Sequence, residues 1–239
     1  MFYKLNRLSG AHNALRVAMN SILYRLPVGL KYSVGGKLRS LRYPYKLLRP
    51  GDVVVQLGAP WDLLRAGRSR AAHFARLVGP SGQLIVVEPD PGNVRAFNDF
   101  TASRGITNAS VLPVGAWNEP GTLSFLIDPE HPAANALADV FDQSRPDRDK
   151  FEELSVPVAP LDELLEGKVG RITLLSITTN GAEAEILAGA SKVLDRCDHV
   201  SIINHRKYHK ELTGRGFRLL ADDDRGATYV SSSLATKAV

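Results

Sequence analysis

Asp52-Val-Val-Val-Gln-Leu57 is followed by a glycine-bearing loop, Gly58 to Gly67, then a helix to Val78, then Gln83-Leu-Ile-Val-Val-Glu88. Both apolar runs have strand length and lack polar alternation, so they read as strands buried on both faces. A strand, a glycine turn, a helix and a parallel strand ending in a carboxylate form the basic unit of nucleotide-binding α/β folds. Small residues at Gly58-Ala59 let a ligand approach the backbone, and a carboxylate such as Glu88 can accept both hydroxyls of a ribose. Pro89-Asp90-Pro91 then turns the chain sharply out of the sheet.

Outward from this unit the rhythm continues. Pro91 to Arg104 reads as a helix with Val94, Phe97 and Phe100 inward, stopped by Gly105. Ser110 to Val114 and Thr122 to Ile127 read as strands, and 128–150 as an irregular, proline-containing insertion over one edge of the sheet. Leu154 to Val158, Ile172 to Ile177 and Val200 to Ile203 are further strands. Pro160 to Leu165 is a brief helix, and Ala182 to Leu194 is a single Ala-rich one. Phe217 to Leu220 and Thr228 to Ser231 close the chain as an antiparallel hairpin. The alternation predicts one α/β domain over 50–239, a doubly wound, mostly parallel sheet with a C-terminal antiparallel hairpin, whose ligands bind at the carboxyl ends of the strands.

Residues 1–49 form a separate expectation, a basic helical segment. Leu15, Met19, Ile22, Leu23 and Leu26 fall at helical spacing between Ala11 and Pro27, and Gly35-Gly36 punctuates the stretch after Pro27. The first fifty residues carry ten basic side chains and no acid, leaving the remainder net negative, 20 basic against 25 acidic. Such an arm suits an anionic surface such as lipid headgroups, and it equally suits a solvated helix face beside an acidic body. At 44% hydrophobic and 23% charged, the composition excludes disorder as a class. The single Cys197 excludes an intramolecular disulfide, and no apolar run near the N-terminus is long enough to cross a bilayer, so a cytosolic protein with at most peripheral membrane contact is expected. His205 and His209 share a helical face but are crowded by Arg206, Lys207 and Lys210, so no metal site is expected there.

Several motifs carry a family resemblance: Gly51-Asp-Val-Val-Val, Gly58-Ala59, Leu77-Val-Gly-Pro-Ser-Gly82, Val87-Glu-Pro-Asp90, Val156-Pro-Val with Leu161-Asp162, and Gly181-Ala-Glu-Ala-Glu-Ile-Leu-Ala-Gly-Ala190. Together they make Pro50 to Ile203 resemble the FkbM-type S-adenosylmethionine-dependent methyltransferases, the last motif being the most specific. The resemblance implies a class I methyltransferase (Rossmann-like) fold. S-adenosylmethionine would be held by Gln56, Gly58, Ala59, Glu88, Pro89 and Asp90, and a methyl group transferred to a hydroxyl of a sugar, glycan or related metabolite.

The departures from that pattern bear on catalysis. Where the family usually has an acidic residue at the end of the first strand this chain has Gln56, and the second loop glycine falls on Asp62 in a loop about six residues longer. Where the family reads Lys-Ile-Asp-Val-Glu-Gly, this chain reads Ser176-Ile-Thr-Thr-Asn-Gly181. Thr178 and Asn180 can hydrogen-bond an acceptor but cannot act as bases near neutral pH, which leaves Glu183 as the candidate base, or as a residue that caps the helix or pairs with a neighbour. Trp61 and Trp117 flank the expected cleft, one of them a candidate to stack on adenine. An inactive fold serving as a binding or scaffold protein is the alternative. A nucleic-acid methyltransferase is not favoured, since no Asn-Pro-Pro-Tyr type run is present.

Overall fold

The computed structural model describes residues 27–138, 148–223 and 226–235. The helix expected before Pro27 lies outside them, as do 139–147 of the expected insertion. The chain enters through α1 (Val28–Arg39) and a 3-10 turn, Tyr45–Leu47, and then forms β1 (Val53–Leu57), α2 (Trp61–Arg65), α3 (Arg70–Val78) and β2 (Gln83–Val87). Next come α4 (Pro91–Ala102), β3 (Ala109–Leu112), β4 (Gly115–Trp117), β5 (Gly121–Ile127), the two-residue β6 (Ala136–Leu137) and β7 (Glu152–Pro160). The remainder is α5 (Leu161–Leu164), β8 (Ile172–Ile177), α6 (Glu183–Ala188), α7 (Ser191–Asp195), β9 (Cys197–Ile202), α8 (His205–Gly214), β10 (Phe217–Asp223), β11 (Gly226–Ser231) and α9 (Ser232–Ala235).

Seven strands form one sheet in the order β10-β11-β9-β8-β1-β2-β3. The first five in sequence pair in parallel, and β11 enters antiparallel between β9 and β10. The expected doubly wound sheet with a closing hairpin is therefore present. The chain runs from β1 outward through β2 and β3 on one side, and through β8 and β9 on the other. The crevice where the order reverses lies between the ends of β1 and β8, at Gly58 and Thr178.

Alternate residues of the central strands feed two cores. Val55, Leu57, Ile85, Val87, Leu175 and Ile177 meet Ile186, Leu187 and Val193 of α6 and α7. Val54, Leu84, Val86 and Leu174 meet Ala71, Phe74, Ala75 and Val78 of α3, together with Tyr32 and Tyr45. Because the helices cover both faces, these strands carry no polar alternation.

The loop expected over Gly58 to Gly67 contains the short helix α2, and three further elements differ from expectation. First, α1 runs straight through Gly35-Gly36. Tyr32 is buried, its ring 4.9 Å from His73 and 5.2 Å from Phe100, and its hydroxyl donates to the Leu64 carbonyl at 3.1 Å. That anchoring outweighs the roughly 1 kcal/mol each glycine costs a helix.

Second, β4, β5, β6 and β7 form a separate four-stranded sheet in the order β4-β7-β5-β6, lying against the α6 and α7 side. The third difference is that the single helix expected over Ala182 to Leu194 breaks into α6 and α7 at Gly189-Ala190. The Gly189 carbonyl accepts from Asp162 N–H at 3.1 Å. The Asp162 carboxylate in turn accepts from the Lys192 and Val193 N–H groups at 3.0 and 2.8 Å, capping α7. No helix among the described residues is long and apolar enough to cross a membrane.

Candidate active site

Two clefts open at the carboxyl ends of β1, β2 and β8, and Gly58, Pro60, Ala133 and Thr178 line both. The smaller, about 90 Å³, runs past Glu88, Pro89 and Asp90 between Ala116, Trp117, Phe125 and Leu137. The larger, about 630 Å³, extends the other way over β9 and β11 to the segment before β1.

Glu88 sits at the exit of β2 and is only 4% exposed. Its Oε2 accepts from Ala59 N–H at 2.6 Å and its Oε1 from Asp90 N–H at 3.0 Å. Burial nevertheless dominates and pushes the carboxyl up to about 7, against the lowering effect of those bonds and of Asn93. The unfolded chain releases this proton near the ordinary carboxylate value, whereas the folded protein keeps it until about pH 7. The group's contribution to stability is therefore full below about pH 4.5, falls as pH rises through 7, and amounts to roughly 3 kcal/mol for a shift of this size. Urea titrations at pH 5 and pH 8 are expected to show this loss, and Glu88→Gln to remove most of it.

Gly58 makes the turn out of β1 with φ +86°, where a Cβ would lie 3.2 Å from the Thr178 carbonyl, so only glycine lets β1 and β8 end this close together. Its own N–H donates to Val87 O. Gln56 is wholly buried, and its amide NH2 faces Leu57 O, Gly58 O and Thr178 Oγ1 at 2.6, 3.0 and 2.7 Å. Its Oε1 is buried without a hydrogen-bond partner among the described residues, and Gln56 lines the larger cleft. That orphaned carbonyl, the acceptor capacity still open on Glu88, and the apolar walls around it suit an ammonium, a ribose and a flat base respectively. The residues present thus fit S-adenosylmethionine.

The remaining expected residues separate by role. Thr178 stands where the clefts meet and donates to Leu57 O at 2.8 Å. Asn180 lines the smaller cleft and donates to the carbonyls of Ala133 and Asn135 at 3.0 and 2.9 Å. Asn135 donates in turn to Asp90 Oδ2 at 3.0 Å, while Asp90 Oδ1 caps α4 through Gly92 N–H. The stretch 132–135, part of the expected edge insertion, is instead a strap tied to Asn180 across the strand ends, and its Ala133 lines both clefts. Glu183 is completely buried and lines neither cleft; it accepts from Gly181 N–H at 3.2 Å and from the Tyr208 hydroxyl at 3.4 Å. Of the tryptophans, Trp117 lines the smaller cleft. Trp61 lies outside both, under the Arg65 guanidinium at 4.4 Å.

Residues 56–224, well over half of the chain, match the family model described as the methyltransferase FkbM domain. The chain belongs to this family. No curated protein matches it in sequence. Among solved structures, an FkbM methyltransferase from Methylobacillus flagellatus is similar at 17% identity and TM-score 0.49, over 80% of this chain and 47% of that protein. This chain thus spans about half its length. A methyltransferase from Geobacter sulfurreducens is similar at 14% identity and TM-score 0.46, over 93% and 98% of the two chains. Fibrillarin from Aeropyrum pernix, solved with S-adenosyl-L-methionine bound, is similar at 13% identity and TM-score 0.44, over 84% and 74%.

The FkbM domain fold also joins Gln56 to residues that the sequence reading did not name as site residues. Gln56, Ser176, Ser201 and Thr228 lie in register on adjacent strands, all buried, and make a polar row across one face of the sheet. Ser176 Oγ has no hydrogen-bond partner among the described residues, and Gln56, Ser201 and Thr228 line the larger cleft. The available signal was a hydroxyl interrupting an otherwise apolar strand at matching parity in Leu-Leu-Ser176-Ile, Val-Ser201-Ile and Ala-Thr228-Tyr.

Proposed function

We propose that the protein is an S-adenosylmethionine-dependent methyltransferase that methylates a hydroxyl of a sugar, glycan or related metabolite. The single observation that carries this reading is Glu88. A buried carboxylate ends β2, tied across the strand ends to the backbone of the Gly58-Ala59 turn, in a chain whose family is that of the FkbM domain. Glu88 accepts the ribose hydroxyls, Trp117 and Phe125 flank the base, Pro89 and Asp90 shape the exit, and Gln56 Oε1 accepts from the cofactor ammonium. When bound, the cofactor would supply a sulfonium-activated methyl, whose transfer to the acceptor oxygen would leave a neutral thioether and give the hydroxyl proton to water.

Thr178 orients the acceptor where the clefts meet, and alignment is the main contribution required of the protein. The strap pinned by Asn180 and Asn135 keeps water from the smaller cleft. Glu183 holds the Gly181 turn in place. The segment before β1 covers the larger cleft, and its exposed Leu38 and Leu41, beside Lys37 and Arg42, suit contact with an anionic membrane.

Calorimetric titration with S-adenosylhomocysteine is expected to give micromolar binding, with a rise in melting temperature. No heat and no thermal shift at millimolar ligand would sink the reading. It would leave the inactive binding protein, which the small volume beside Glu88 and the neutral Gln56 favour.

A further inference from the structure

The wall of the larger cleft that faces away from Glu88 is built around a buried phenol. Tyr45, 5% exposed, is packed against Phe74 and His73 with ring centroids 5.1 and 6.1 Å away. Two guanidinium groups converge on it. Arg39 lies 5.7 Å from the ring centroid and donates to the Tyr45 hydroxyl at 3.2 Å. Arg70 lies 5.9 Å from the centroid and donates to Ser201 Oγ at 3.3 Å. Arg42 lines the same cleft.

Among the described residues, neither Arg39 nor Arg70 has a carboxylate within ion-pair distance; the ion pairs present lie elsewhere. Their geometry is held by neutral partners, a phenol and a serine hydroxyl, while their charge is left uncompensated. His73 offers no relief and adds no charge of its own: burial first, then the Arg39 charge, push its imidazole down to about 4, so it is neutral at physiological pH. The acids of this cleft, Asp222 and Asp223, end β10 and are not within ion-pair distance of either guanidinium; Asp222 faces His205 at 3.6 Å.

We propose that Arg39 and Arg70 bind an oxyanion carried by the methyl acceptor, so that the substrate is an anionic hydroxyl compound such as a phosphorylated sugar rather than a neutral one. The proposal rests on the methyltransferase reading of the neighbouring cleft. Planar guanidinium forks match the oxygens of phosphate and carboxylate. Fixed in advance by Tyr45 and Ser201, they lose little side-chain freedom on binding. The cleft continues from this wall over Ser201 and Gln56 to Thr178. An acceptor anchored here by its anion therefore extends toward the point where the two clefts meet.

The test is calorimetry on the full chain at low salt with glucose 1-phosphate, glucose and inorganic phosphate, in the presence of saturating S-adenosylhomocysteine. Glucose 1-phosphate is expected to bind at least about tenfold more tightly than glucose, and inorganic phosphate to compete with it. Arg70→Gln and Arg39→Gln are each expected to weaken the phosphate ligands about tenfold while S-adenosylhomocysteine affinity stays within about twofold, which also certifies folding.

S-adenosylhomocysteine binding with equal, feeble affinity for glucose and its phosphate would overturn the anion site and leave the methyltransferase reading standing. Loss of S-adenosylhomocysteine affinity in Arg70→Gln, with phosphate binding unchanged, would overturn it in favour of an arginine that grips the cofactor carboxylate. Vesicles of phosphatidylglycerol and of phosphatidylcholine separate the sources of the anion. Co-sedimentation specific to phosphatidylglycerol and lost in Arg70→Gln assigns it to a lipid headgroup. Its absence, with glucose 1-phosphate binding intact, assigns it to a soluble acceptor, and both results uphold the site.

Discussion

Alanine in place of Glu88 is expected to weaken S-adenosylhomocysteine binding by about a hundredfold or more, since charged hydrogen bonds of roughly 1.5–3 kcal/mol each are lost. The carboxylate has two tasks. On the proposed function it accepts from the ligand, and in the structure it satisfies the Ala59 and Asp90 N–H groups, joining the turn after β1 to the turn after β2. Truncation leaves two buried donors without partners, so the loop that shapes the cleft loosens as well as losing its ribose acceptor. Glu88→Gln separates the two effects, because it preserves volume and one acceptor oxygen while removing charge. It is expected to keep the fold and bind with intermediate affinity. Native affinity in a folded Glu88→Ala protein would place the ribose elsewhere.

Gly189→Ala is expected to cost about 3 kcal/mol or more and to lower the melting temperature by roughly 10 °C. A Cβ on this residue would lie 2.0 Å from the Trp117 carbonyl oxygen and 3.1 Å from Asn118 Cα. Both are backbone atoms of the β4 region, which cannot swing aside as a side chain would. Accommodation would have to push the α6–α7 junction away from β4, breaking the Asp162 N–H bond to Gly189 O and disturbing the wall that carries Trp117. Gly214 is the control: it closes α8 with nothing within 4 Å of its would-be Cβ, so alanine there is expected to change stability by less than about 0.5 kcal/mol. Equal melting temperatures for the two variants would show that the α6–α7 junction yields freely.

These two residues also show how far linear reading reaches. Glu88 was legible because its signal is local: a carboxylate one residue past a buried strand, in a unit whose geometry is shared by nucleotide-binding folds. Gly189 was legible only as part of a family motif, since its physical reason, contact with Trp117, joins residues far apart in the chain. The helix over Ala182 to Leu194 was read as continuous for the same reason, as no helix breaker stronger than one glycine marks the junction. From its position one residue into the helix after the turn, Glu183 suited either a base or a helix-capping or paired residue. The packing turns it inward to the Gly181 N–H and the Tyr208 hydroxyl.

What one dimension determined here is the strand cores of β1, β2 and β8, the Gly58 turn, a carboxylate, Glu88, at the end of β2, the alternating α/β order and the family. Each depends on residues within a few positions of one another, where side-chain polarity and backbone freedom act directly. What only the tertiary structure decided is which polar groups share a cleft. The row Gln56, Ser176, Ser201 and Thr228 exists because strand register places these residues side by side, although the chain separates them widely. Arg39, Tyr45 and Arg70 meet because α1 and the following turn fold back over α3, driven by burial of Tyr32 and Tyr45. Neither grouping has a period or a motif, because the energy that forms it comes from packing apolar surface elsewhere and the polar groups are carried along.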